Sequence, residues 1–222
     1  EFNYNLKKQI SINGCGWLGF PLAKHLHSEG YKIKGSTTSI EKLETLNKAS
    51  INGFLVGLNE REIQGNHREF LTDSETIIIN IPPGLRKNPN KNHVSEIESL
   101  IDVIEEQNVK NILYVSSTSV FKNEDHFPII NVDSAPNATS NSSRQLIEIE
   151  NMFLQNTNFN TTILRFGGLF DSQRHPAKYL SGKKNIANPE APINLIHKED
   201  CIEIITTIVK NNLWNKVLNA AN

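Results

Sequence analysis

The chain has 222 residues, 37% of them hydrophobic and 21% charged, which is enough apolar material for one sizeable core. A formal net charge of −1 argues against a nucleic-acid partner, and no run of about 18 apolar residues argues for a membrane span. With no secretory h-region in view and two cysteines, Cys15 and Cys201, far apart, the expectation is a cytoplasmic chain with neither a disulfide nor a metal site.

In chain order, "QISIN" (9–13) is a first strand, and Leu18, Leu22 and Leu26 then mark one face of a helix that closes near Gly30. "YKIKGS" (31–36) is a second strand, followed by a helix with Ile40, Leu43 and Leu46 on its buried side, and "GFLVGL" (53–58) is a third strand. "TIIINIPPG" (76–84) gives the strongest strand signal, a β-branched run of the kind found where both sheet faces are covered, stopped by Pro82 and Pro83. Short basic clusters such as "LRKNPNKN" (85–92) read as solvated loops. Val94, Ile97, Ile101 and Ile104 repeat at helical spacing. "NILYVSS" (111–117) is the next strand, with Tyr114 in the core, and a helix over 142–155 turns Leu146, Ile149 and Phe153 inward. "TTILRFGGLF" (161–170) reads as one sixth strand; "INLIH" (193–197), the amphipathic "EDCIEIITTIV" (199–209) and "KVLNAAN" follow.

This alternation predicts an α/β fold, a doubly wound Rossmann-type parallel sheet with helices on both faces and a small C-terminal substrate-side region. The whole chain reads as one domain, with a nucleotide-binding core over about 1–160 and an extension over about 161–222.

Gly14, Gly16 and Gly19 form a G-x-G-x-x-G between the first strand and the first helix. In that context Gly14 permits the tight turn, Gly16 lets the backbone approach a pyrophosphate, and Gly19 lets helix pack closely on strand. The anion rests on the free amides of the helix start, so Cys15, Trp17 and Leu18 join the glycines as cofactor-binding candidates. An NAD site places a carboxylate about 20 residues on; here Ser36 and Thr37, followed by Thr38, stand there instead. Glu41, the nearest acid, is assigned to a capping box over Thr38–Glu41. Hydroxyls there, with charge from Lys34 or Lys42, suit a 2′-phosphate, so NADP is favoured over NAD and both stay open. Asn80, Ile81 and Pro82 end the fourth strand at the same edge, and their backbone is expected to line the cofactor. Ser116 and Ser117 end the fifth strand at that edge as well, and Ser116 joins the cofactor-binding candidates.

With the glycine loop, "YVSSTSVF" (114–121), "LRFGGLF" (164–170), "RHP" (174–176) and "INLIHKED" (193–200), the chain resembles the extended and atypical short-chain dehydrogenase/reductases, the NAD-dependent epimerase/dehydratase group. Within it the chain is most similar to the bacterial YeeZ-type members, whose N-terminus also reads G-x-G-W-L-G-x-P-L-A. The resemblance covers almost the whole chain. Members usually continue some tens of residues further, which implies a truncated or naturally short C-terminus here. It also implies a small-molecule substrate such as a nucleotide sugar, and pairing into a homodimer through helices beside the central strands.

By motif the catalytic serine of that family matches Ser117. Its Tyr-x-x-x-Lys falls on "SNSSR", Ser140 to Arg144, so the tyrosine is absent and the lysine has become arginine. A serine hydroxyl does not replace a phenol as acid/base near neutral pH without its own base. Arg144 has two open readings, contact with the cofactor ribose or a surface pair with Glu148. Asp171, His175 and Tyr179 fall in the segment that faces substrate in this family; His175 and Tyr179 are the candidate proton carriers, against the alternative of a surface turn. His197 reads as structural. Two functions remain: an NAD(P)-dependent oxidoreductase or nucleotide-sugar epimerase/dehydratase, or a non-catalytic NAD(P) sensor.

Overall fold

The computed structural model describes residues 8–131, 133–186 and 189–221. Ten strands form: β1 (Gln9–Asn13), β2 (Lys32–Thr37), β3 (Asn52–Leu58), β4 (Ile63–Gly65), β5 (Thr76–Ile79), β6 (Asn111–Ser117), β7 (Asn160–Phe166), β8 (Gly168–Phe170), β9 (Leu195–His197) and β10 (Lys216–Ala220). Eight of them make one sheet in the order β10-β7-β6-β5-β1-β2-β3-β4, with β8 and β9 paired separately. Every pairing is parallel except β3 with β4.

Among the described residues seven α-helices form: α1 (Gly19–Ser28), α2 (Ile40–Lys48), α3 (His67–Leu71), α4 (His93–Glu106), α5 (Asn141–Gln155), α6 (Pro176–Leu180) and α7 (Lys198–Lys210). Strand side chains alternate between the faces, which splits the core in two. Ile78 packs with Leu22 and Leu26 of α1 and Ile205 of α7, while Ile77 and Ile79 pack with Ile97 of α4 and Phe153 of α5. All three isoleucines are fully buried, which is why the run is continuous rather than alternating. The doubly wound Rossmann-type fold follows. From β1 the chain winds outward through β2 and β3, then crosses back to place β5 on the other side of β1. Connections leave the carboxyl ends of β1 and β5 in opposite directions, and a crevice opens between them.

Several local expectations change. The run 161–170 is two strands: Gly167 N donates to Ala220 O, closing the β10 pairing, and Gly168 N donates to Asn194 O, opening the β8–β9 pair. A Cβ at Gly168 would meet the Leu195 side chain at 2.8 Å, so the break is built around bare backbone. Of the three α2 residues expected inward, only Leu46 is buried; Ile40 is 73% exposed because α2 lies at the sheet margin, over β3. The capping box does not form. Ser39, not Thr38, is the N-cap, and its hydroxyl donates to Glu41 Oε2 at 2.6 Å, since Glu41 stands one position too early to reach back to the cap amide. The short β4 and α3 carry too few residues to show a period in sequence. Beyond residue 160, β7 and β10 extend the main sheet itself.

Candidate active site

The crevice between β1 and β5 is a cleft of about 590 Å³, lined by the glycine loop, Ser36 to Thr38, Asn80 to Pro83, Ser116 and Ser117. Its floor is the turn from β1 into α1. Gly14 takes a φ of +100°, and a Cβ there would stand 2.5 Å from the Asn80 carbonyl oxygen. A Cβ at Gly19 would run into the Gly14 carbonyl oxygen. Gly16 differs: a Cβ there meets nothing within 4 Å, and its φ lies outside the left-handed region. The fold demands glycine at 14 and 19 but not at 16. What glycine at 16 provides is open room at the cleft.

Side chains from β1, β2 and the residue following β5 hold this turn. Gly14 N donates to Ser36 Oγ at 3.0 Å, and Ser36 Oγ donates onward to Asn13 Oδ1 at 2.7 Å. Cys15 N donates to Ser36 O at 2.9 Å, and Asn80 Nδ2 donates to Gly14 O at 3.3 Å. The Ser36 hydroxyl, expected to face a 2′-phosphate, is therefore spent on bracing the loop and is 1% exposed. Asn80, expected to act through backbone alone, also contributes its side-chain amide. Cys15 is buried, and desolvation pushes its thiol up to about 12, so the sulfur is a packing group. By contrast, the N–H groups of Trp17, Leu18 and Gly19 have no backbone acceptor among the described residues. Three bare amides at a helix start, beside Gly16, fit a pyrophosphate.

Toward the end of β2, Thr37 Oγ1 accepts from Ser39 N, Thr38 is exposed, and Lys42 lines the cleft. Lys34 does not. Its ammonium donates to the carbonyls of Glu69 and Thr72 at 2.6 and 2.7 Å, and partial burial lowers its pKa. The cation available there is Lys42.

At the far end Ser117 lines the cleft, and its Oγ accepts from Ser119 N at 3.1 Å, capping a 3-10 turn at Thr118–Val120. Ser116 Oγ donates at 2.6 Å to Glu150 Oε1, which also accepts from Arg165. Arg165 and Glu150 form a buried bidentate pair, 4% and 2% exposed, that ties α5 to β7 behind the two serines. Ser140 is the N-cap of α5, accepting from Ser143 N, and Ser143 Oγ donates to Ser119 O. Arg144 is exposed on the first turn of α5. Arg144 is not among the residues lining the cleft, and no pair with Glu148 forms among the described residues.

The segment after β8 reaches the cleft through Arg174 rather than through Asp171 or His175. Asp171 accepts from Gln173 N and Arg174 N and pairs with Lys198 at 2.5 Å; those partners hold its carboxyl down at about 2. It is a fixed carboxylate rather than a proton carrier. His175 is exposed, caps α6 by accepting from Ala177 N, and does not line the cleft. The Tyr179 side chain lies outside the described residues. His197 caps α7 and sits edge-on to Phe170.

Arg174 and Lys198 were not singled out by sequence, yet both lie against Trp17: the guanidinium 4.6 Å and the ammonium 4.9 Å from the ring centre. Arg174 lines the cleft with Trp17. Lys91 and Glu96 line it too, so the "LRKNPNKN" stretch read as a solvated loop delivers one of its lysines to the site. Among the described residues no cluster of His, Cys, Asp and Glu is suited to a metal ion, and no helix is long and apolar enough to cross a membrane.

No protein-family profile matches the chain. Protein YeeZ of Escherichia coli K12 is 28% identical over 204 residues, covering 91% of this chain and 73% of its own. Among solved structures, UDP-glucuronic acid 4-epimerase from Bacillus cereus, in complex with UDP-glucuronic acid and NAD, superposes with a TM-score of 0.76 at 14% identity, covering 96% of this chain and 77% of that one. MoeE5 in complex with UDP-glucose and NAD gives 0.73 at 16% identity, over 96% and 76%. The chain is thus similar to Protein YeeZ over nearly all its described length and has the fold of the NAD-dependent epimerase/dehydratase structures, the resemblance its motifs carry.

Proposed function

We propose that this protein binds NAD(P) along the β1–β5 crevice, with the pyrophosphate on the amides of Trp17, Leu18 and Gly19. The observation that carries the reading is Gly16, a glycine the fold does not need, open to the cleft beside three unpaired N–H groups. The structural neighbours complexed with NAD support it. At the end of β2 the described lining residues are Ser36, Thr37 and Thr38, with Lys42 beyond, and none of these is a carboxylate, which favours NADP over NAD.

The bound nicotinamide would supply a hydride acceptor or donor. The chain's own contribution is the Ser117 hydroxyl, which donates to a substrate carbonyl or hydroxyl at the cleft's far end while its lone pair holds the Ser119 amide. Leu146, Val115 and Leu169 keep that end apolar. The substrate class is a small molecule such as a nucleotide sugar, the kind that MoeE5 and the Bacillus epimerase hold. A cytoplasmic homodimer remains part of the proposal.

A second reading is favoured by one observation. No tyrosine stands at Ser140 to Arg144, and Arg144 is exposed and not among the residues lining the cleft. A nucleotide sensor without turnover fits that arrangement. Incubating the protein with NADPH and a panel of aldehydes, ketones and nucleotide sugars separates the two. Loss of NADPH absorbance, or conversion of a nucleotide sugar to a new sugar seen by NMR with the oxidised nucleotide present, supports the enzyme if Ser117→Ala abolishes it; neither change across the panel, with nucleotide bound, supports the sensor.

A further inference from the structure

Two hollows meet at one pair of side chains. Lys91 and Glu96 line the cleft, and both also line a second, more open cavity of about 400 Å³ walled by Asn59, Glu60, Arg61 and Asn88, where Glu60 accepts from Asn92 N. Glu96 is 2% exposed. Its two donors converge on a single oxygen: Lys91 Nζ at 2.8 Å and His93 Nδ1 at 2.7 Å both reach Oε2. The other oxygen, Oε1, accepts no hydrogen bond among the described residues, and it is not among the sealed unpartnered atoms. Burial works against ionisation of Glu96, but the bonds from His93 and Lys91 outweigh it and lower its pKa.

The pair is held rigidly. His93 N donates to Gln145 Oε1, and Gln145 Nε2 donates to Lys91 O, so one α5 side chain clips both the loop and the start of α4. The fully buried His93 ring stands behind the carboxylate. Lys91 gives one N–H to Glu96 and keeps two.

The site therefore offers a charged acceptor and a charged donor side by side. A phosphate would be repelled by Glu96, and an apolar ring would leave Glu96 Oε1 and the two remaining Lys91 N–H groups unpaired. Adjacent hydroxyls satisfy both, because a hydroxyl donates and accepts at once. We propose that Lys91 and Glu96 form a sugar-hydroxyl site in the cleft wall, Glu96 accepting from and Lys91 donating to a vicinal diol. This deepens, and rests on, the nucleotide reading of the cleft. The diol has two sources, a ribose of the dinucleotide or the sugar of a substrate.

Titration calorimetry on the intact chain with ADP, ADP-ribose and UDP-glucose tests it, using Lys91→Met, Glu96→Gln and, at the opposite sheet edge, Lys110→Met, with melting curves as the fold control. Lys91→Met and Glu96→Gln should each weaken a sugar probe about tenfold or more, as expected for hydrogen bonds to charged groups, while Lys110→Met binds as wild type. Loss for ADP-ribose with ADP retained places the distal ribose at the pair; loss for ADP as well places the adenosine ribose there; loss for UDP-glucose alone places a substrate sugar. The sign at Glu96 decides the chemistry. Removing a negative charge strengthens a plain anion site but weakens a hydroxyl site. Should Glu96→Gln not fold, Glu96→Asp keeps the charge and withdraws the oxygen, which weakens a hydroxyl site and leaves a plain anion site binding as before. Unchanged or tighter binding of all three probes by the Glu96 variant overturns the inference and leaves the nucleotide reading standing. No binding of any probe by the wild type overturns both.

Discussion

Gly16 and Gly19 lie three residues apart in one loop, and the structure assigns their substitutions opposite effects on stability. A methyl at Gly19 would overlap the Gly14 carbonyl oxygen and stand 3.0 Å from its carbon. Both atoms are backbone, in a turn already pinned by Ser36 and Asn80, so no rotamer relieves the clash. Gly19→Ala should cost about 3 kcal/mol, the upper range for overpacking, which in a chain of this size lowers the melting temperature by about 6–12 °C. Gly16→Ala places its methyl in open space and stiffens the unfolded chain, so it should melt from level with wild type to about 3 °C higher. Scanning calorimetry of the three proteins without ligand reads this directly. Equal melting of Gly19→Ala and wild type, or a fall for Gly16→Ala as large as that for Gly19→Ala, would refute the division into structural and ligand-facing glycines.

Ser36→Ala leaves Gly14 N–H and Asn13 Oδ1 without their partner and should cost about 2 kcal/mol; titrations should weaken equally for NADH and NADPH, whereas a selective loss of NADPH would return the hydroxyl to the 2′-phosphate. Arg165→Met strands the Glu150 carboxylate in the core, at a cost of about 3–5 kcal/mol by denaturant melts, and adding Glu150→Leu should recover most of it. Asp171, depressed from 3.8 to about 2, contributes stability that is fully present above the unfolded value and is lost as pH falls through about 2. The stability gap between wild type and Asp171→Asn should therefore be constant above about pH 5 and close toward pH 2; a gap independent of pH over that range would contradict the ion pair with Lys198. His175→Ala should leave NADPH affinity within twofold of wild type, about 0.4 kcal/mol, since the imidazole caps α6 outside the cleft; a tenfold loss would restore it to the site.

The elements legible in sequence were those with a long period or a continuous run. Ile77 to Ile79, the α4 and α5 stripes and the glycine loop announced themselves because both sheet faces are covered and the turn needs bare backbone. Gly167 hid the division of one apparent strand into two, because the change of partner from β10 to β9 is a long-range event. Ile40 looked buried by spacing, yet α2 covers only the sheet's margin. Within the cleft, sequence pointed to the correct edge but could not say which hydroxyl faces inward. Ser36 turns to Asn13 and Gly14 because β1 and β2 are in register there, and no local pattern encodes that. Lys91 lay in a basic cluster read as a solvated loop, and Glu96 carried no signal. Gln145, about fifty residues on in the chain, clips their loop to α4.

The central claim is that a dinucleotide lies on the free amides where α1 begins. Titration calorimetry of NADPH and NADH into wild type and Gly16→Val tests it most directly. Saturable one-to-one heat with wild type, abolished in Gly16→Val while its melting temperature is kept, is the predicted result. Folded wild type that takes up neither nucleotide, or a Gly16→Val protein that titrates as wild type does, would contradict it.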